Sequence, residues 1–545
     1  MPERQLFLVG KGLVTFKVKG TPLLSTRTAE GAQNPDSKPF APERAFRYGR
    51  MFKKSDSRPQ PEALTKLGLA MHAENSAADD HPLLPAGYTY LGQFVTHDIT
   101  FDRTEGLADG ELFAEQIRQG RSPSLELDSL YGMGPLSESS RHLYENDRLK
   151  FKIGKTTPTR FGDAFVSLPN DLPREGSRNA LIAERRNDRN LALAQTHLAF
   201  LKFHNAVVDR LLKEGHLGKE LFETARKKVT QHYQWIILHD YLPKILEESV
   251  LKDVLASDAK AFRALSADDR FLPVEFAFAA YRFGHSLVRD QYEWNRVFQS
   301  PKNGNLDAAR LHQLFTFTGL GGTMQGSPTL PSNWVIDWTR FFDFSGFARV
   351  VNHAKSNRAQ KINTSLSLGL KGLPGFPTDV PIESRSIAVL DLLMGAVLEL
   401  PTGQEVADAL KKKKIEVRVL SANEIAEGPH NDILTQYGLH EKTPLWYYIL
   451  KEAEVLHRGE RLGPIGSLIV AETLVGLIHA SEFSILEDSS WEPDLGQIKP
   501  SEFGMADLLV FVNDLNPLET QPDKTNSISA EGARPNKKLN KKPTR

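Results

Sequence analysis

The sequence contains no cysteine. That absence excludes a disulfide framework, thiolate zinc sites and iron–sulfur clusters, and it leaves the redox compartment open. Any metal must be held by nitrogen or oxygen. Net charge is lacking too: 68 basic residues balance 68 acidic ones, so nothing steers the whole chain toward nucleic acid or an anionic membrane. Long apolar runs are missing. The most apolar stretches, "SIAVLDLLMGAVLEL" and "GSLIVAETLVGLIHA", are short and carry Asp391, Glu399 or Glu472, so neither reads as a membrane span. The N-terminal "MPERQLFLVGKGLVTFKVKG" has too brief an apolar run for the core of a secretory leader. A soluble protein is expected, cytoplasmic or exported by a leaderless route.

What is present is a chain of 545 residues, long enough for one very large domain or several ordinary ones. Residues 1–60 are rich in Pro, Arg, Ser and Lys with weak periodicity, which suggests an arm. Residues 61–518 contain no linker-like stretch and read as one domain. Residues 519–545 have almost no apolar side chains and end in lysine pairs, the composition of a disordered basic tail. No internal repeat is visible. In "DRNLALAQTHLAFLKFHNAVVDRLLKEG", Leu191, Ala194, Leu198, Leu201 and Val208 recur at helical steps, with Asn187 or Asp188 as the expected N-cap and Gly215 as the stop. "PVEFAFAAYRFGHSLVRD" enters a helix at Pro273 and meets no breaker until Gly284. Strand-like alternation is scarce, with "KIEVRVLS" the best case. The expected fold is mainly α, with few short strands and long loops.

Four clusters draw chemical interest. Wound as a helix, "LGQFVTHDITFD" puts Gln93, Thr96, His97 and Thr100 on one face, while Leu91, Phe94, Val95 and Ile99 fill the rest. A buried polar stripe must be satisfied. The ordinary reading is a core histidine bonded to nearby backbone, with Asp98 solvated or capping. In "AAYRFGHSLVRD", helical winding sets His285 over Arg282, Tyr281 and Phe278, and Gly284 leaves room for a flat ligand. By itself this too is a core histidine. Asp391 lies in an apolar helix and needs a partner, for which an imidazole N–H is a natural candidate. Arg185, Arg186 and Arg189 crowd the turn before the long helix, and the plain reading is a solvated basic turn.

Together these stretches resemble the animal haem peroxidase family, within the peroxidase–cyclooxygenase superfamily. The motifs are "LGQFVTHDITFD", "SPSLELDSLYGMGP", "ERRNDRNLALAQTHLAFLKFHN", "YRFGHSLV" and "LDLLMGAVLELP", in the family's order and with comparable spacing. The resemblance implies a single large helical domain, non-covalent haem b and one Ca2+. Matched by position, His97 would move the peroxide proton, Arg186 would stabilise charge on the breaking O–O bond, and Gln93 would bond water or a halide. His285 would ligate haem iron, and Asp391, where the family usually has asparagine, would accept its other N–H. Arg282 would pair with a haem propionate. Asp98, with Ser122, Ser124, Glu126 and Asp128 of "SPSLELD", would supply oxygen ligands to calcium, some through carbonyls; alternate residues of an extended loop face one way.

Two departures matter. The family positions that esterify haem are Thr96 and Arg189 here, and Asn190 replaces a methionine that one member uses for a sulfonium link. Neither ester can form, and a potential too modest for easy chloride oxidation is expected. The implied activity is reduction of hydrogen peroxide, with oxidation of phenols, iodide, bromide or thiocyanate through a ferryl intermediate. Two alternatives remain: a fatty-acid dioxygenase of the same superfamily, or a weakly active adhesion or matrix-type member. The dioxygenase branch places a radical tyrosine where Arg282 stands, and Tyr281 is one residue off.

Overall fold

Ala63, Leu64 and Leu67 recur at helical spacing behind Pro61, and in the computed structural model they are the buried side of α1 (Pro61–Ala70). The proline sits in the first turn, where its missing N–H has no partner to lose. Gly68 lets α1 approach the helix Ile387–Val397 closely, since a Cβ there would come within 2.7 Å of the Val389 nitrogen.

The next helices follow their apolar periodicity in the same way. They are α2 (Gly87–Ile99), the short α3 (Asp128–Tyr131), α4 (Leu191–Lys213) and α5 (Glu220–Trp235). α2, α4 and α5 meet through Phe94, Phe200 and Tyr233: the two phenylalanine rings stack at 4.6 Å and the tyrosine meets both edge-on. This aromatic contact fixes α2 on the long helix beside it. Further on, the helices Leu445–His457 and Pro464–His479 pack together and against the segment Ala280–His285.

The structure describes residues 46–74, 79–101, 118–176, 178–218, 220–259, 271–300, 307–348, 350, 356–374, 379–488, 490–496 and 502–519, with the backbone alone at 3–8 and 12–17. Most of the expected arm and all of the expected tail beyond Glu519 lie outside these residues. Strands are short among the described residues and form small separate sheets. One of them leads into the site: Phe46–Gly49 pairs antiparallel with Arg118–Gln119 and parallel with Phe271–Pro273, which opens the segment carrying His285. No described helix is long and apolar enough to cross a membrane.

Three local expectations differ from the structure. "KIEVRVLS" forms no strand: Ile415 and Val417 pack on the core, but Leu420 gives its amide to the Tyr448 hydroxyl at 3.0 Å rather than to a neighbouring strand. β-propensity needs an edge to pair with. The long helix is capped by Asn190, whose side-chain oxygen takes the Leu193 amide at 2.9 Å; Asn187 and Asp188 lie in a preceding 3-10 turn. Gly215 does stand just past its end, at φ +91.

The third difference concerns the segment after Pro273. It is helical over Val274–Phe278, breaks at Ala279 (φ −136, ψ −74) and resumes as a 3-10 helix, Ala280–His285. Side-chain bonds impose the break against alanine's own preference for helix. Arg282 takes the Ala277 carbonyl with its Nε at 3.0 Å, and Tyr281 stacks on Phe276 at 4.7 Å.

Candidate active site

Of the thirteen residues of α2, all are buried except Gln93, Thr96 and His97. The polar stripe is therefore the helix's one accessible line. That line does not face bulk water: protein atoms crowd His97 so closely that burial, with the charge of Arg186 next, pushes its imidazole down to about 3. The ring is densely surrounded yet still partly accessible. Thr100 departs from the expected stripe because it has left the helix (φ −124), and its hydroxyl folds back on the Thr96 carbonyl at 2.6 Å.

His97 is held in one orientation. Its Nδ1 lies 2.8 Å from the Asn187 side-chain oxygen, and the Asn187 amide nitrogen donates to Nδ1 of His197 at 2.9 Å. With its oxygen facing His97, Asn187 accepts the Nδ1 hydrogen and leaves Nε2 with a free lone pair. Gln93, one turn earlier, receives the Asn190 amide on its oxygen at 3.0 Å and keeps its own amide hydrogens.

A second imidazole sits on the segment that touches α2. His285 donates from Nδ1 to Asp391 at 2.6 Å, and Arg282 reaches the other carboxylate oxygen at 3.4 Å. Three residues per turn bring positions 282 and 285 into one line, which is why both meet the same carboxylate. Asp391 is buried, as its apolar helix predicts, whereas the His285 side chain keeps 27% of its surface. Its Nε2 has no hydrogen bond among the described residues. Arg282 also gives its Nε to the Ala277 carbonyl at 3.0 Å.

Arg186 is buried beside His97. Its Nε and Nη2 clasp Glu184 at 2.8 and 2.7 Å, and Nη2 also reaches the carbonyls of His97 and Thr100 at 3.1 and 2.5 Å. Burial alone would raise the Glu184 carboxyl, but Arg186 and Arg121 hold it well below the usual carboxylate range. Two guanidiniums share one carboxylate, so a net positive charge remains beside the His97 ring. Nη1 of Arg186 makes no hydrogen bond among the described residues.

Behind α2, Asp98 accepts the amides of Leu127 and Ser129 at 3.2 and 3.0 Å. Leu127 adopts a left-handed backbone (φ 59) that turns these amides inward. Burial, then the nearby Asp128 charge, raises the Asp98 carboxyl to about 7. Asp128 accepts the Ser122 hydroxyl at 2.6 Å, and Ser124 bonds that same hydroxyl at 3.1 Å. The structure thus gathers Asp98, Ser122, Ser124 and Asp128. It sends Glu126 elsewhere: one carboxylate oxygen takes the Glu482 amide at 2.5 Å, and the other is buried without a partner. No three carboxylates or imidazoles among the described residues converge as a cage. A cation here would rest on two carboxylates, serine oxygens and carbonyls, a hard-oxygen set that suits calcium.

Sequence reasoning missed Glu184 and the bridging role of Asn187. The only signal for the first was an acidic residue directly before an arginine pair. Nothing in the pattern pointed to the second.

Residues 114–325 match the family model for animal haem peroxidases. Among curated proteins, the chain is 30% identical over 158 residues to a peroxidasin homolog, pxn-2, of Caenorhabditis elegans, a match covering 28% of this chain and 11% of that protein. The chain spans about a third or less of the length of the first curated relatives it matches. Among solved structures it resembles peroxidase A of Dictyostelium discoideum, with TM-score 0.57 and 16% identity over 81% of this chain and 88% of that one. A fatty acid alpha-dioxygenase of Arabidopsis thaliana gives TM-score 0.55 and 13% identity over 86% of this chain and 76% of that one. These likenesses extend the shared helical fold well beyond the matched segment.

Proposed function

We propose that the chain is a member of the animal haem peroxidase family, whose model matches residues 114–325, and that it uses hydrogen peroxide to oxidise small donors such as phenols, iodide, bromide or thiocyanate. One observation carries this reading. Two half-buried imidazoles stand on touching elements, each with Nδ1 engaged and Nε2 free: His97 on Asn187 and His285 on Asp391. That arrangement fits a flat iron porphyrin between them, with His285 as metal ligand and His97 as base. Bound haem supplies the iron that draws two oxidising equivalents from peroxide.

The chain's own groups do the rest. Nε2 of His97, neutral at any pH well above 3, takes a proton from the proximal peroxide oxygen and returns it to the departing one. The positive charge of the Arg186 cluster favours electron density gathering on that oxygen. Gln93 offers its amide hydrogens to a water or halide. Asp391 accepts the Nδ1 hydrogen of His285 and so raises the electron-donating power of the Nε2 that would hold haem iron. Asp98, Ser122, Ser124 and Asp128 would hold one Ca2+ behind α2.

Thr96 and Arg189 offer no ester link, so the haem is expected to leave the protein in acidified acetone. Pigment remaining with the precipitate would contradict non-covalent attachment. His97→Ala should keep haem and lose peroxide-dependent guaiacol oxidation by about two orders of magnitude or more. Turnover equal to the wild type would remove His97 from the reaction.

The shared fold with a fatty acid alpha-dioxygenase supports a second reading. On that reading Tyr281, buried against Phe276, would be the oxidisable side chain. Dioxygen consumption with a fatty acid, lost in Tyr281→Phe, would favour it over the first.

A further inference from the structure

Away from the two imidazoles, a cavity of about 860 Å³ opens between α3, the turn after it, the loop at residues 147–149 and α5. Its size falls within the range of small-molecule sites, roughly 300–1,000 Å³. Met133, Leu136 and Phe222 give it apolar walls, and two of these are uncovered: Leu136 is 82% exposed and Met133 45%.

The charged groups around it are unevenly satisfied. Each acid has a donor: Asp128 accepts Ser122, Asp147 accepts the Leu149 amide at 2.9 Å, and Glu223 meets Arg226 at 3.5 Å. The two arginines are not so well met. Nε of Arg226 is buried without a hydrogen-bond partner, although its guanidinium lies over the rings of Tyr131 and Phe483. The Arg148 side chain is exposed and makes no hydrogen bond or ion pair among the described residues, and its backbone holds a left-handed conformation, φ 60. The exposed Arg148 guanidinium is therefore the unpaired donor at the cavity, and Arg226 adds positive charge from its wall. A forked guanidinium matches a carboxylate better than any neutral acceptor.

We propose that this cavity binds an amphipathic carboxylate, with its head group on Arg148 and Arg226 and its apolar body against Met133, Leu136 and Phe222. The cavity shares Ser122 and Asp128 with the proposed calcium site, and neither His97 nor His285 lines it.

Isothermal titration of the full-length protein with dodecanoate, kept below its micellar concentration, tests this. Saturable one-to-one binding is expected, weakened about tenfold or more by Arg148→Glu and by Leu136→Asp. Both substitutions alter exposed side chains, so the fold should persist by circular dichroism. Dodecanol, which lacks the charge, should bind at least about tenfold more weakly than dodecanoate. Absence of dodecanoate binding, unchanged affinity in both variants, or equal affinity for the alcohol would each overturn the proposal.

Discussion

An imidazole acts as a base only through a nitrogen with a free lone pair, and at His97 Asn187 decides which nitrogen that is. Its oxygen faces His97 because its amide nitrogen is committed to His197. Asn187→Leu keeps the branched side-chain outline and removes the bond, so the ring is free to turn and to change tautomer. The expected result is a fall in peroxidase kcat of about tenfold or more with haem affinity unchanged, read by steady-state guaiacol oxidation and haemin titration. A wild-type kcat would show that the bond positions nothing. Some of this site could be read from the sequence. Asp391 could, because a carboxylate inside an apolar helix demands a partner, and the demand is met by His285. Asn187 could not, because a hydrogen bond across 90 residues leaves no periodic trace.

At the scale of elements, Asp98 bolts α2 to α3 by taking the amides of Leu127 and Ser129. Asp98→Ala leaves those buried donors unsatisfied and should destabilise the protein by about 1–3 kcal/mol in urea unfolding. If calcium also sits there, its addition should raise the melting temperature of the wild type and not of the variant. A rise of the same size in both would place the ion elsewhere. The helices of this region were legible where one face is apolar throughout, as in α2, α4 and Ile387–Val397. The break at Ala279 was not. Two alanines in sequence favour continuation, and the interruption comes from Arg282 and Tyr281 finding partners in the folded state. "KIEVRVLS" failed for the converse reason, a strand-like pattern with no neighbour to pair with.

For the whole molecule, buried titratable groups set the response to acid. Burial pushes His97 and His197 down to about 3, and His204 and His232 to about 4, from an ordinary 6.5. Below pH 6.5 the unfolded chain takes up protons that the native state refuses, so stability falls as pH drops toward 4. Glu452 and Asp98, raised by burial to about 8 from 4.5 and to about 7 from 3.8, work the other way, their contributions being present in acid and lost as pH rises. Four histidines outnumber these two carboxyls between pH 4.5 and 6.5. The urea midpoint should therefore decrease steadily from pH 6.5 to 4.5, and a flat or rising midpoint would contradict the neutral state assigned to these rings. The mainly helical architecture was readable from periodicity and motif order, whereas the cavity beside α3 depends on long-range packing and was invisible. Every role proposed for these side chains requires one cofactor seated between two imidazoles. Titrating haemin into the cofactor-free protein, and following the Soret band, tests that most directly. A sharp one-to-one endpoint is predicted for the wild type and its loss for His285→Ala; no spectral change, or the same endpoint in both, would contradict it.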